Sequence, residues 1–198
     1  MRFVLASASP ARLETLRLAG VEPEVIVSGV AEDTVVASTA SDLVVRLAEL
    51  KASAVAERID GTALVLGCDS LLELDGQPLG KPGDAQVAAQ RWREMRGRTG
   101  TLHTGHCLVD TGTGRQAARS VGTAVRFADL TDAEIDAYCA TGEPSAVAGG
   151  FTIDGLGGWF VDGVDGDHHN VVGVSLPALR GLLRELGYGL GDIGYPAR

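Results

Sequence analysis

One Asp-Gly pair between two apolar runs constrains this chain more than any other stretch. In Val65 to Pro82, VLGCDSLLELDGQPLGKP, the residues Leu71, Leu72 and Leu74 precede Asp75-Gly76, and Leu79 follows. Asp-Gly suits a two-residue turn with positive φ at both positions, so a tight hairpin is expected here. Upstream, an apolar run from Thr62 to Leu66 ends in Gly67, Cys68 and Asp69. It reads as a buried strand with a carboxylate at its end. The hairpin returns the chain to Gly80-Lys81-Pro82. An acid and a lysine facing one cleft would suit chemistry on an anion or a metal–anion complex. A plain edge hairpin with a strand-end Asp and a solvated Lys fits the same residues, and the local sequence leaves both readings open.

At 198 residues the chain fits one large domain or two small lobes. Its hydrophobic share of 45% supports a sizeable core, and an aromatic share of 5% predicts a mostly aliphatic one. No apolar run approaches the roughly 20 residues that span a bilayer, so no membrane partner is expected. The N-terminal MRFVLASASPAR is read as a first strand, not a signal peptide. Cys68, Cys107 and Cys139 are scattered, which argues against a disulfide framework or structural zinc and fits a reducing cytoplasm. A formal net charge of −9 makes a nucleic-acid polymer a poor partner. Any phosphate site must then be a local basic pocket.

Arg2 to Ala6 is expected as a buried strand. Ser9 follows as the N-cap and Pro10 as the first residue of a helix that Gly20 ends. Arg12 falls in the first turn, where the helix dipole disfavours a cation. A bound anion would relieve that conflict, and so would a neighbouring acid. Glu24 to Ser28 reads as a second strand. Glu32 and Asp33 follow in a loop, as solvated acids or, in the minority reading, as metal ligands. Ser41 to Ile59 is an amphipathic helix whose apolar stripe, Val44, Leu47, Ala48 and Val55, also contains Lys51. A lysine there either snorkels to solvent or turns its ammonium inward.

Asp84 to Met95 is expected as a helix, and Thr101 to Asp110 and Arg115 to Phe127 as strands. His103 and His106 are three apart on the first of these strands and point to opposite faces, so they do not make a joint metal site. Thr131 to Glu134 is a capping-box pattern opening a helix. Ala148 to Gly173 is rich in glycine but also in Phe, Ile, Val and Trp, and reads as ordered backbone with tight turns. His168-His169 is expected at the surface or against substrate. Pro177 to Leu186 closes the fold as a helix, and Gly187 to Arg198 is expected as a loose tail. Gly76 to Pro82 is one residue short of a P-loop, and Pro82 stands where Ser or Thr would hold magnesium. Neither GxSxG nor an N-terminal GxGxxG is present.

Four stretches in one order resemble the Maf family of nucleoside triphosphate pyrophosphatases. They are Leu5 to Arg12; Gly67 to Ser70 with Gly80-Lys81-Pro82; Gly142-Glu143-Pro144 with Ala148 to Phe151; and Asp165 to Asp167 through Asn170 to Gly173. The resemblance spans nearly the whole chain and implies a single domain over 1–198. The implied fold is α/β of the inosine-triphosphatase (Maf/Ham1) type, a twisted mixed sheet with flanking helices and two lobes around a central cleft. It is commonly a dimer. The implied activity is cytoplasmic, house-cleaning hydrolysis of a nucleoside triphosphate to the monophosphate and pyrophosphate, with magnesium or manganese.

By the resemblance, Asp69 is the proton acceptor, and Arg12, Lys51 and Lys81 are the basic residues of the phosphate pocket. Ser7, Ser9 and Glu32 are polar positions beside it, and Asp69 with Glu32 would hold the metal. Base choice falls to Ala11, Ser70 and Asp154. The family's two known branches carry Arg, Thr and Gln, or Trp, Gln and Glu, at those places, and this chain matches neither. The family's Asp-Lys pair is replaced by Ala146-Val147. A nucleotide-binding regulatory protein linked to cell division, with little turnover, is the alternative reading.

Overall fold

A computed structural model describes residues 1–196. The elements are β1 (Arg2–Leu5), α1 (Pro10–Leu18), β2 (Glu24–Val25), α2 (Ala40–Ala56), β3 (Ala63–Leu74), β4 (Gln77–Leu79), α3 (Ala85–Met95), β5 (Thr99–Asp110), β6 (Gln116–Phe127), α4 (Asp132–Ala140), β7 (Val161–Asp165), α5 (His168–Val172) and α6 (Leu176–Leu186). The strands lie in the order β2-β1-β3-β5-β6-β7, with β4 on β3. β1 is parallel to β2 and β3, while β4 and β7 are antiparallel to their neighbours, so the expected mixed α/β sheet is what the chain forms.

The hairpin holds as expected. Leu74 pairs with Gln77, and Asp75 and Gly76 take φ of 50° and 76°. The strand before it differs from expectation. β3 runs unbroken from Ala63 to Leu74, so Asp69 is a mid-strand residue and not a strand end. Gly67 does not stop the strand because its φ is not positive. β2 is shorter than expected: only Glu24 and Val25 pair with β1.

The residues group into two compact units. The first comprises Met1–Asp69, Thr104–Val121 and the chain from Gly173 onward. Alternate residues of its strands enter two separate clusters, as period-two side chains must. Phe3, Leu5, Leu64 and Leu66 join Leu179, Leu182, Leu183 and Leu186 of α6. Val4, Ala6, Ala63 and Val65 join Ala48, Ala52 and Val55 of α2. Burial on both faces explains why β1 and the start of β3 read as continuous apolar runs.

The expected loose tail is instead fastened to this unit. Tyr188 donates to Asp110 Oδ2 at 2.8 Å, Leu190–Ile193 forms a 3-10 turn, and Ile193 is buried in the core. Burying one aliphatic side chain contributes about 1.5–3 kcal/mol toward holding the segment in place. Ala197 and Arg198, the last residues of that expected tail, lie outside the described residues.

The second unit comprises Ser70–His103 and Gly122–Val172. Its core is mostly aliphatic, as expected, but also gathers the rings of Trp92, Phe127, Tyr138 and Phe151. Trp92 of α3 is fully buried, with Phe127 and Tyr138 edge-on at 5.6 Å each and Phe160 at 6.0 Å. Its indole N–H donates to the Gly150 carbonyl at 2.8 Å, satisfying the one polar atom that burial would strand. The capping box forms as expected, with Thr131 and Glu134 exchanging hydrogen bonds at the start of α4. Among the described residues no helix is long and apolar enough to cross a membrane.

Candidate active site

The start of α1 assembles the first group. Ser9 caps the helix by accepting from the Arg12 amide at 3.4 Å, and Pro10 opens it. This places the Arg12 side chain back over the end of β1. Its Nη1 donates to Ser7 Oγ at 3.0 Å and to the Cys68 carbonyl at 2.9 Å. Its Nε donates to the Gly173 carbonyl at 2.8 Å. Ser7 Oγ also accepts from the Ser9 amide at 3.2 Å. Ser7, Ser9 and Arg12 thus form one network, anchored on the carbonyl of the residue before Asp69.

The second group decides the fate of Lys51. Its side chain is 8% exposed, so it does not snorkel. The ammonium turns inward and bridges Asp69 Oδ1 at 2.5 Å and Glu32 Oε1 at 2.7 Å. Glycine makes this reach feasible. A Cβ on Gly67 would lie 2.2 Å from the Ala48 carbonyl oxygen, and one on Gly105 would lie 2.1 Å from the Val44 carbonyl oxygen. Bare backbone on β3 and β5 therefore lets α2 lie close against the strands, with Lys51 one turn beyond Ala48. Sequence reading took Gly67 for the end of a strand and passed over Gly105. A glycine inside an apolar strand run was the available signal for close backbone approach.

The remaining candidates belong to the second unit. Ser70 is half-buried on β3, Lys81 is exposed after β4, and Asp154 is exposed in the 152–157 loop. Among the described residues Lys81 has no hydrogen bond or ion pair. The turn around it is held: Arg91 Nη1 donates to the Gly80 carbonyl at 2.5 Å, and the Gly83 amide donates to the Ser145 carbonyl at 3.0 Å.

Other expected groups sort differently. His106 is fully buried and accepts from the Ser175 amide at 2.8 Å, while His103 lies 3.8 Å from Glu73. His168 and His169 are exposed, as expected of surface residues. Burial pushes the Cys68 thiol up to about 11 and the Cys107 thiol up to about 12, so neither is a ready nucleophile.

Asp69 and Glu32 offer hard carboxylate oxygens on either side of one cationic centre, the Lys51 ammonium. Magnesium is usually held by one or two carboxylates together with substrate phosphates, so the pair fits such an ion. Among the described residues no cluster of three or more His, Cys, Asp or Glu forms a fuller cage. One unit thus brings together Arg12, Lys51, Asp69, Glu32 and the start of α1.

The chain matches the Maf-like protein family over residues 2–186. It is 58% identical to a nucleoside triphosphate pyrophosphatase of Streptomyces coelicolor, covering 99% of this chain and 96% of that protein. It is 57% identical to one of Salinispora tropica, covering 94% and 84%. Among solved structures, the Staphylococcus aureus Ham1 protein overlaps 65% of this chain and 73% of its own, at 17% identity and a TM-score of 0.43.

Proposed function

The chain belongs to the Maf-like protein family, and we propose that it is a nucleoside triphosphate pyrophosphatase. It cleaves the α–β anhydride of a nucleoside triphosphate, consuming one water and releasing the monophosphate and pyrophosphate. The observation that carries this reading is the buried Lys51 ammonium shared between Asp69 and Glu32. An ion pair kept largely out of solvent contributes little to stability in itself, so a lysine turned inward onto two carboxylates favours a functional role over a structural one.

In this reading Asp69 accepts the proton of the attacking water. Lys51, Arg12 and Lys81 bind the triphosphate, and Ser7 and Ser9 orient Arg12 and the start of α1. Catalysis of phosphoryl chemistry is mostly positioning and charge stabilisation, which these residue types supply. Asp69 and Glu32 would hold a magnesium or manganese ion, which when bound neutralises charge on the phosphates. A metal-binding titration of Asp69→Asn separates the two roles of Asp69. Unchanged affinity with lost rate marks it as the base.

Base choice falls to Ser70 and Asp154, with Ala11 leaving one wall without a long donor or a stacking ring. Strict discrimination needs buried donors and acceptors that a wrong base leaves unpaired, and short polar groups provide few. The enzyme is therefore broad, with Asp154 favouring bases that present an N–H donor. It acts in the cytoplasm as one functional domain, as a homodimer, without a nucleic-acid polymer as partner. The test is pyrophosphate release over a panel of triphosphates with magnesium or manganese. Absence of release from every nucleotide would sink the reading. A single substrate preferred by more than about a thousandfold, roughly 4 kcal/mol, would sink its specificity part.

A further inference from the structure

Glu143 has no part in the chemistry above, yet it is the most heavily hydrogen-bonded carboxylate of the second unit. Its Oε1 accepts from the Tyr138 hydroxyl at 2.8 Å, the Thr152 hydroxyl at 2.6 Å and the Gly157 amide at 3.0 Å. Its Oε2 accepts from the Leu156 amide at 3.1 Å. Three of these donors lie on one loop, Thr152 to Gly157, and Asp154 sits between them. The loop is also moulded on the carboxylate. A Cβ on Gly155 would lie 2.7 Å from Glu143 Oε2, and one on Gly157 would lie 2.4 Å from the Tyr138 hydroxyl. At Gly157 the same Cβ would also lie 2.6 Å from the Thr152 carbonyl oxygen, so the wrap there needs glycine.

We infer that Glu143 is a positioning residue for nucleobase selection: with Tyr138 and Thr152 it fixes the loop that presents Asp154. This rests on the pyrophosphatase reading and on Asp154 as a base contact. The chemistry of the anchor supports it. A carboxylate has room for about four hydrogen bonds and only accepts, and everything facing Glu143 here is a donor. Burial by itself would raise the Glu143 carboxyl, but the Thr152, Leu156, Tyr138 and Gly157 donors outweigh it and hold the group below its ordinary value. Burial and the adjacent Glu143 raise Tyr138, which keeps its hydroxyl a donor. Glutamine in place of Glu143 would keep one oxygen for Tyr138, Thr152 and Gly157 and set its NH2 against the Leu156 N–H, so the loop would lose its Leu156 tether while the rest of the unit kept its core.

The test compares Glu143→Gln, Tyr138→Phe and Asp154→Ala with the unsubstituted chain. The readouts are kcat/KM on ATP, GTP, CTP, UTP, TTP and ITP, and hydrogen exchange at the Leu156 and Gly157 amides. For Glu143→Gln the expected result is faster exchange at Leu156, a ratio of best to worst nucleotide moved about tenfold in the direction that Asp154→Ala moves it, and kcat on the best substrate within about threefold. Tyr138→Phe, which removes one donor and keeps the ring, shifts the ratio in the same direction by less. Equal slowing on every nucleotide, or unchanged ratios despite faster exchange, overturns the proposal while the pyrophosphatase reading stands. An unsubstituted chain that turns over none of the six fails that reading itself, and the proposal with it.

Discussion

Asp69 and Glu143 are both withdrawn carboxylates, one in each unit, and they are satisfied in opposite ways. Asp69 meets a cation, the Lys51 ammonium, which it shares with Glu32. Glu143 meets four neutral donors, two hydroxyls and two amides. A charge-bridged carboxylate can exchange its partner for another cation or for a proton in transit. A carboxylate ringed by backbone amides cannot let go without stranding them. The first arrangement suits chemistry, and the second suits holding a loop still. The surroundings differ in the same sense: aliphatic clusters around the first, an edge-packed aromatic cluster around Trp92 in the second.

The largest expected effect lies on the charged side. Asp69→Asn is expected to fold and to lose about 10² to 10⁴-fold in turnover, the usual range for a general base. Near-normal release of pyrophosphate by the folded variant would break the contrast. Next is Lys51→Ala. It leaves Asp69 withdrawn without its cation, which should cost about 3 kcal/mol in denaturant unfolding, at the low end for a broken buried pair. Triphosphate binding or rate should fall with it. A variant of unchanged stability and unchanged kinetics would show that the bridge does nothing.

The neutral-donor side is probed by pH. Glu143 and Asp110 both lie below the ordinary carboxylate value; burial opposes this, and hydroxyl and amide donors outweigh it. Their stabilisation is full above the unfolded carboxylate range, near pH 4, and is lost as pH falls through the lower folded values. Urea midpoints should therefore drop on acidification, and Glu143→Gln should flatten part of that slope. A slope identical to that of the unsubstituted chain would place the acid sensitivity elsewhere. Tyr188→Phe removes one donor from Asp110 and should flatten the slope by less, while lowering the urea midpoint at neutral pH. Thr131→Ala, a capping loss remote from both carboxylates, should cost about 1 kcal/mol or less and leave both the acid slope and the nucleotide ratios untouched. Urea melts at neutral and acid pH measure both.

Much of this was legible in the chain itself. The Asp75-Gly76 turn, the Ser9-Pro10 helix start and the Thr131 capping box depend on φ preferences and bonds within four residues, which local sequence encodes directly. The continuous apolar runs of β1 and the start of β3, buried on both faces, were legible in the same way. The residue set Ser7, Arg12, Lys51 and Asp69 was legible as a family pattern. Tertiary structure alone decided what sequence left open or misread. Lys51 turned inward because Gly67 and Gly105, far apart in sequence, together let α2 approach the sheet. Asp69 stayed inside a strand because that same packed helix gives Gly67 an extended role, where local reading saw a breaker. The tail was fastened because Asp110, some 80 residues earlier, offers Tyr188 an acceptor and the core admits Ile193. Each of these outcomes is set by a contact between distant segments, and no local preference carries information about which distant backbone will arrive.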